Sequence, residues 1–337
     1  MTKKYLILLT AVFCLACGFA SSAQKEVVSS GVLSMELSKT ANKRKKINVL
    51  IQLASAYLQE GQLDNSLMSC REALALDPDR KQKQKLYNIL GETYGQKKEW
   101  FDAIANYQEA ITYAPKHIGV LLVLAEAYEQ NDLYELAIQE YLKILEMNSN
   151  SFEANFGLAG LYLKDGFINK AIKCYRTALS QRMDIRAYRN LSLCYASRGD
   201  TDLAISILKN AIAIEPSYDD YVNLGNLYAQ KNDFTKAREA FLLALQINPK
   251  LIDAYVYLGK LHLEKNDLAG AKEAFVSGSE KFPNSALIHF FLSEIYYKKK
   301  LNDLAIKEIR ASIKLASDKT LKAFSRKYLD FLQKNSR

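Results

Sequence analysis

Residues 224–249 read LGNLYAQKNDFTKAREAFLLALQINP, and residues 258–283 read LGKLHLEKNDLAGAKEAFVSGSEKFP. Leu-Gly, Asn-Asp, Ala, Ala-Phe and Pro all return 34 positions on. The same register extends outward in both directions. Leu53, Leu90, Leu124, Leu158, Leu191, Leu224, Leu258 and Leu292 align at steps of 37, 34, 34, 33, 33, 34 and 34 residues. Four residues after each stands Tyr57, Tyr94, Tyr128, Tyr162, Tyr195, Tyr228, His262 or Tyr296. Thirteen after each stands Ser66, Ala103, Ala137, Ala171, Ala204, Ala237, Ala271 or Ala305. Pro78, Pro115, Pro216, Pro249 and Pro283 close five of the repeats, with Ser149, Met183 and Ser317 where proline stands in the others.

This spacing predicts two short helices per repeat. In the first, an apolar residue, leucine, a small residue and tyrosine fall at i, i+3, i+4 and i+7, one helical face. Small residues let the paired helices approach; larger ones would overpack at a cost of about 1–3 kcal/mol. Gly61, Gly166, Gly199, Asn232 and Asn266 fall between the helices, and these types tolerate a positive φ. Helices this short are marginal alone, so each repeat buries its apolar face only against its neighbours. VLLVL at 120–124 has the composition of a buried strand, but its Leu124 is in register, which predicts helix.

The pattern resembles the tetratricopeptide repeat, a helix–turn–helix unit of about 34 residues. Eight units fit, starting near 47, 84, 118, 152, 185, 218, 252 and 286. The resemblance implies an all-α fold, a right-handed α-solenoid of about eight units over 47–318. A capping helix is expected over 319–337, with Leu321, Phe324, Tyr328 and Phe331 on its sealing face. Ser66 departs from the usual alanine, and the stretch around Arg80 carries a three-residue insertion. Residues 24–46 read as a mobile basic tether whose end, from 39, extends the first helix.

The N-terminal segment reads as an export signal. Two lysines precede the apolar run YLILLTAVFCLACGFA, and Ser21 and Ala23 suit cleavage after Ala23. Leu15-Ala16-Cys17-Gly18 supports a second reading, lipid attachment at Cys17, although Cys14 stands where leucine is usual. A third reading keeps the run as an uncleaved membrane anchor; in each case the expected location is the periplasm or cell envelope. No other apolar run approaches the ~20 residues that span a bilayer.

The net charge of +9 is not spread evenly. Residues 24–46 hold six basic and two acidic side chains, residues 319–337 hold six and one, and the repeats between are close to neutral. A groove tracking a phosphate backbone would need its charge in the repeats, so no nucleic-acid partner is expected. Solvated tails explain the basic ends; contact with an anionic membrane surface is the sharper reading.

The chain carries no HExxH, GxSxG, P-loop or paired CxxC motif. No enzyme, metal or cofactor is expected. His262 and His289 occupy positions that are aromatic in other repeats, which predicts packing roles. Trp100 aligns with Tyr134 and Phe234, also core positions. Cys174 and Cys194 lie in adjacent repeats, close enough in sequence for a disulfide in an oxidising compartment, though no wider cysteine framework surrounds them.

The resemblance implies that the first helices line a concave groove. The residues it places there include Asn88, Leu122, Phe156, Arg186, Arg189, Asn190, Val222, Asn223, Asn226, Val256, Tyr257, Lys260, Phe290 and Phe291. Asn190 and Asn223 share a repeat position, with Asn226 one turn on. Asparagine offers the donor and acceptor that hold a peptide backbone. Arg186, Arg189 and Lys260 suit acidic side chains or a carboxylate, and Phe156 and Phe290 suit apolar anchors. The plain alternative is a merely solvated face. No three consecutive repeats carry the Lys/Asn, Asn, Lys/Arg set with which this family clamps chaperone tails. The expected function is a non-catalytic scaffold that binds a peptide segment or helix of another protein while an envelope complex assembles. The alternative is a self-associating structural spacer at the membrane surface.

Overall fold

The computed structural model describes residues 29–335, and both proposed processing positions, Ala23 and Cys17, lie outside the described residues. Among the described residues every regular element is an α-helix. In chain order these are α1 (Ser30–Lys39), α2 (Lys43–Gln59), α3 (Leu63–Ala75), α4 (Arg80–Gln96), α5 (Trp100–Tyr113) and α6 (Ile118–Gln130). Next come α7 (Tyr134–Met147), α8 (Phe152–Lys164), α9 (Ile168–Gln181), α10 (Ile185–Arg198), α11 (Thr201–Ile214) and α12 (Tyr218–Gln230). The last six are α13 (Phe234–Ile247), α14 (Ile252–Glu264), α15 (Leu268–Lys281), α16 (Ala286–Lys298), α17 (Asn302–Leu315) and α18 (Lys319–Asn335). Helices α2 to α17 form eight helical hairpins. The chain divides into two compact bodies at residues 140 and 141, and each is described by itself.

The turn of every hairpin holds one residue at positive φ, always eight positions after the signature leucine. Gly61, Gly166, Gly199, Asn232 and Asn266 fill five of these places, at φ of 73°, 77°, 88°, 60° and 55°. Lys98, Asp132 and Lys300 fill the others at 62°, 58° and 59°. The sequence did not flag these three, because neither lysine nor aspartate signals a left-handed turn as glycine does. A β-carbon in this region is crowded by the following carbonyl, at roughly 1–2 kcal/mol. Lys300→Gly is therefore expected to raise stability by about 0.5–1 kcal/mol, after glycine's extra unfolded-state entropy is subtracted. A denaturant midpoint that falls instead would show that Lys300 makes a compensating contact.

Two structural rules tie sequence to packing. First, in five of the eight repeats the residue after the signature leucine matches the residue seventeen after that leucine. Gly91, Gly225 and Gly259 lie under Tyr107, Phe241 and Phe275; a β-carbon on them would come within 2.5, 2.6 and 2.4 Å of the rings. Where the aromatic is replaced by Leu208 or Ile309, the small residue is Ser192 or Ser293. Their hydroxyls donate to the carbonyls of Ala204 and Ala305 at 2.8 and 2.7 Å. Second, Ser66 replaces alanine without leaving a polar orphan. Its hydroxyl donates to the Ala54 carbonyl at 3.0 Å and lies 3.1 Å from the Thr93 hydroxyl.

The insertion near Arg80 becomes an extra N-terminal turn of α4, fixed by a capping box between Asp79 and Gln82. Helices α7, α9 and α17 end at Met147, Gln181 and Leu315 even though proline is missing beyond them.

The capping helix is present as α18, and Lys43–Lys46 extend the first helix as expected, but both ends differ in detail. Residues from Ser30 to Lys39 are a helix rather than a mobile tether, and α2 is a separate helix that starts at Lys43 with Asn42 as its cap. Leu33 is buried against Leu53 and Ala56, with Leu37 and Tyr57 packed beside it. The backbone N–H and hydroxyl of Ser30 both donate to the Glu60 carboxylate, at 3.0 and 2.7 Å. At the other end, the buried face of α18 is built on Ser325 and Leu332, with Tyr328 and Leu329 packed beside them. Phe324 and Phe331 remain 60% and 44% exposed. Ser325 faces Ser312 at 3.1 Å between hydroxyl oxygens, so α18 docks through Ser325, Tyr328, Leu329 and Leu332 and its phenyl rings are left at the flank.

Candidate functional site

Most of the anticipated groove residues lie on α8, α10, α12, α14 and α16 in the second body, whereas Asn88 on α4 and Leu122 on α6 belong to the first. The hairpin geometry explains what each first-helix side chain meets. The residue just before the signature leucine covers the residue seventeen after the previous leucine. Phe291 stacks on Phe275 at 4.9 Å between centroids, and Tyr257 on Phe241 at 5.6 Å. Asn190 meets Tyr175, which is fully buried, and its amide nitrogen donates to the phenol oxygen at 3.1 Å. Asn190 therefore serves the packing of the preceding repeat. At the corresponding place ahead of Asn223 stands Leu208, which has no hydroxyl to bind. The exposed Asn223 amide, and that of half-buried Asn226 one turn on, make no hydrogen bond among the described residues.

The arginines are committed. Arg189 donates through Nε and Nη2 to both carboxylate oxygens of Asp220, at 2.8 and 2.7 Å. Asp220 is 1% exposed and also accepts from the Ser217 hydroxyl at 2.7 Å. This bidentate pair joins α10 to α12 and corrects the expectation that Arg189 stands ready for an acidic ligand. Arg186 pairs with Asp184 at 3.1 Å and lies 5.0 Å from the centre of the Phe156 ring. Phe156 is half-buried, edge-on to Tyr175 and stacked with Phe152. Val222 is half-buried against the same core. Lys260 is exposed, its amine 5.3 Å from the centre of the Phe291 ring. Phe290 does not offer an anchor site: its ring packs on Phe324 and Tyr328 of α18, at 5.5 and 5.6 Å. In the first body Asn88 donates to Glu92 at 2.7 Å, and burial holds the Glu92 carboxyl above its ordinary pKa.

What stays available in the second body is a patch on α12 and α14: Asn223, Asn226, Tyr257 and Lys260. Two amides, a phenol and an ammonium can bind a peptide backbone and one carboxylate. The sequence showed all four, but it could not separate them from Asn190 and Arg189, which have the same chemistry and hold the repeats together.

The remaining polar candidates have structural partners. His117 caps α6, its Nδ1 accepting from the Val120 N–H at 3.2 Å. His262 meets Asp267 at 2.8 Å across the repeat turn, and His289 meets Glu308 at 2.6 Å and the Pro283 carbonyl at 3.0 Å. Cys174 and Cys194 are both free thiols, and burial pushes Cys194 up to about 11. Among the described residues no group of three or more His, Cys, Asp or Glu side chains is placed to hold a metal ion. No described helix is long and apolar enough to cross a membrane.

The profile of the family described as Tetratricopeptide repeat matches residues 90–152, 156–220 and 258–319, more than half of the chain. The chain belongs to the tetratricopeptide repeat family. Two further profiles of the same repeat match residues 47–80 and 225–266. Tetratricopeptide repeat protein 8 of Caenorhabditis elegans is 23% identical over 202 residues, 59% of this chain and 39% of its own length. The human Intraflagellar transport protein 88 homolog is 26% identical over 215 residues, 61% of this chain and 25% of its own. The chain thus spans well under half the length of these curated relatives. A solved tetratricopeptide structure, the C-terminal part of a repeat protein from Cytophaga hutchinsonii, aligns with a TM-score of 0.64 at 15% identity. It covers 72% of this chain and 99% of that one. The tetratricopeptide fold is generally a non-catalytic scaffold for binding other proteins.

Proposed function

We propose that this tetratricopeptide array holds an extended segment or helix of a partner protein against α12 and α14, as a non-catalytic scaffold in the assembly of a cell-envelope complex. The observation that carries the reading is the pair of asparagines on α12. Asn223 and Asn226 are one turn apart, and neither amide is used by the described fold. An amide that gives and receives a hydrogen bond matches the alternation of a peptide backbone. Tyr257 adds a rigid aromatic surface, the type enriched at binding hot spots, and Lys260 favours an acidic residue or a carboxylate nearby. The envelope location rests on the N-terminal apolar run with its preceding lysines.

The test is crosslinked capture from native envelope, comparing wild type with Asn223→Ala/Asn226→Ala/Lys260→Ala, both folded by circular dichroism. Arg189 and Asn190 are spared because their loss would loosen the repeats. A true hot spot should cost at least about 2 kcal/mol on truncation, roughly thirtyfold in affinity. A partner captured equally by both proteins would exclude this face. Concentration-dependent sedimentation with no captured partner would favour the self-associating spacer.

A further inference from the structure

The C-terminal helix carries a surface that the groove reading does not use. Phe324 and Phe331 are seven residues apart on α18, two turns along one face, and both are substantially exposed. Lys327 and Lys334 follow each of them by three residues, so phenyl and ammonium groups alternate along one stripe. Both lysines are exposed, and so is Arg326. Within 319–337 the charge is six basic groups to one acidic. The phenyl rings are held from one side only. Phe331 packs on Tyr297 and Tyr328, at 5.5 and 6.0 Å between centroids, and Phe324 rests on Phe290. Burial pushes the Tyr328 phenol up to about 12. The stripe therefore rests on a packed aromatic base rather than on a mobile tail.

We infer that this stripe seats the protein on an anionic lipid surface, with Phe324 and Phe331 entering the headgroup region and the lysines meeting phosphate. The charge decides the occupant. A second copy of α18 would bring two strongly basic helices together, and like charges repel. An anionic membrane attracts each nearby lysine or arginine, and aromatic residues beside basic ones characterise helices that lie in the interface. The rings are packed at their base yet 60% and 44% exposed, which suits a deformable lipid surface better than the enclosed pocket a protein anchor favours. The stripe is separate from the peptide patch on α12 and α14 and does not depend on it.

The test uses the full chain with Trp100→Phe and Phe324→Trp, so that the only indole reports on position 324. Phe already fills the place of Trp100 at Phe234 of another repeat, and residue 324 is exposed, so both changes should leave folding intact by circular dichroism. With vesicles of phosphatidylglycerol and phosphatidylcholine, the emission of the indole at position 324 is expected to shift to the blue and to be quenched by brominated acyl chains. Pure phosphatidylcholine should give neither effect. Lys327→Glu/Lys334→Glu should weaken the phosphatidylglycerol response at least about tenfold. Attachment through any other segment leaves residue 324 in water, so an unshifted indole on anionic vesicles overturns the inference and points to a protein partner. An equal response on both vesicle types overturns it as well, because the surface would then be merely apolar.

Discussion

Phe275→Ala is expected to lower the stability of the second body by about 3–5 kcal/mol, the range for emptying a buried aromatic site. Phe275 is fully buried between Gly259 on one side and the Phe291 ring on the other. The same geometry makes a coupled prediction. Gly259→Ala alone should cost about 1–3 kcal/mol by overpacking, since its methyl would lie 2.4 Å from the Phe275 ring. In the Phe275→Ala background the added methyl enters the vacated space, and the second substitution should become neutral or stabilising. Chemical denaturation of the four proteins in the cycle measures the coupling. Simple additivity would mean that ring and backbone relax independently, against the close contact between them.

Arg189→Ala is expected to cost about 2–4 kcal/mol, and the cost should exceed that of the double variant Arg189→Ala/Asp220→Ala. The reason is an asymmetry of exposure. The Arg189 side chain is 38% exposed, whereas that of Asp220 is 1% exposed. An arginine that loses its partner can turn to water. A buried carboxylate that loses its arginine keeps only Ser217 and the end of its helix, and an uncompensated buried charge is what makes such deletions costly. Removing both groups removes the stranded charge. A thermal or urea midpoint that is lower for the double variant than for Arg189→Ala would show that Asp220 stabilises the fold even without its arginine, through Ser217 and the start of α12. Either way, lost binding in an Arg189 variant is no proof of ligand contact.

The repeat, its period and its two helices per unit could be read from the chain, because local periodicity fixes them. A leucine, a small residue and a tyrosine return every 33 to 37 positions, and a short helix bearing them has no way to bury that face except against another like it. Gly61, Gly166 and Gly199 marked their turns by composition. Lys98 and Lys300 adopt the same left-handed geometry because the hairpin on either side forces it, and side-chain type does not report that constraint.

Which polar groups remain free for a ligand was decided only in three dimensions. Asn190 and Asn223 are the same residue at the same repeat position, and sequence alone treats them alike. They differ because Asn190 meets the Tyr175 hydroxyl, whereas the matching position before Asn223 holds Leu208. A hydrogen bond needs a partner at a set distance and angle, and the partner here comes from the neighbouring hairpin. The same holds at the ends. The periodicity of α18 placed four apolar residues together, but the angle at which the helix docks buries Leu332 and leaves Phe324 and Phe331 at the surface. Local pattern thus determined the helices, and packing between them determined which side chains are spent on the fold and which remain for a partner.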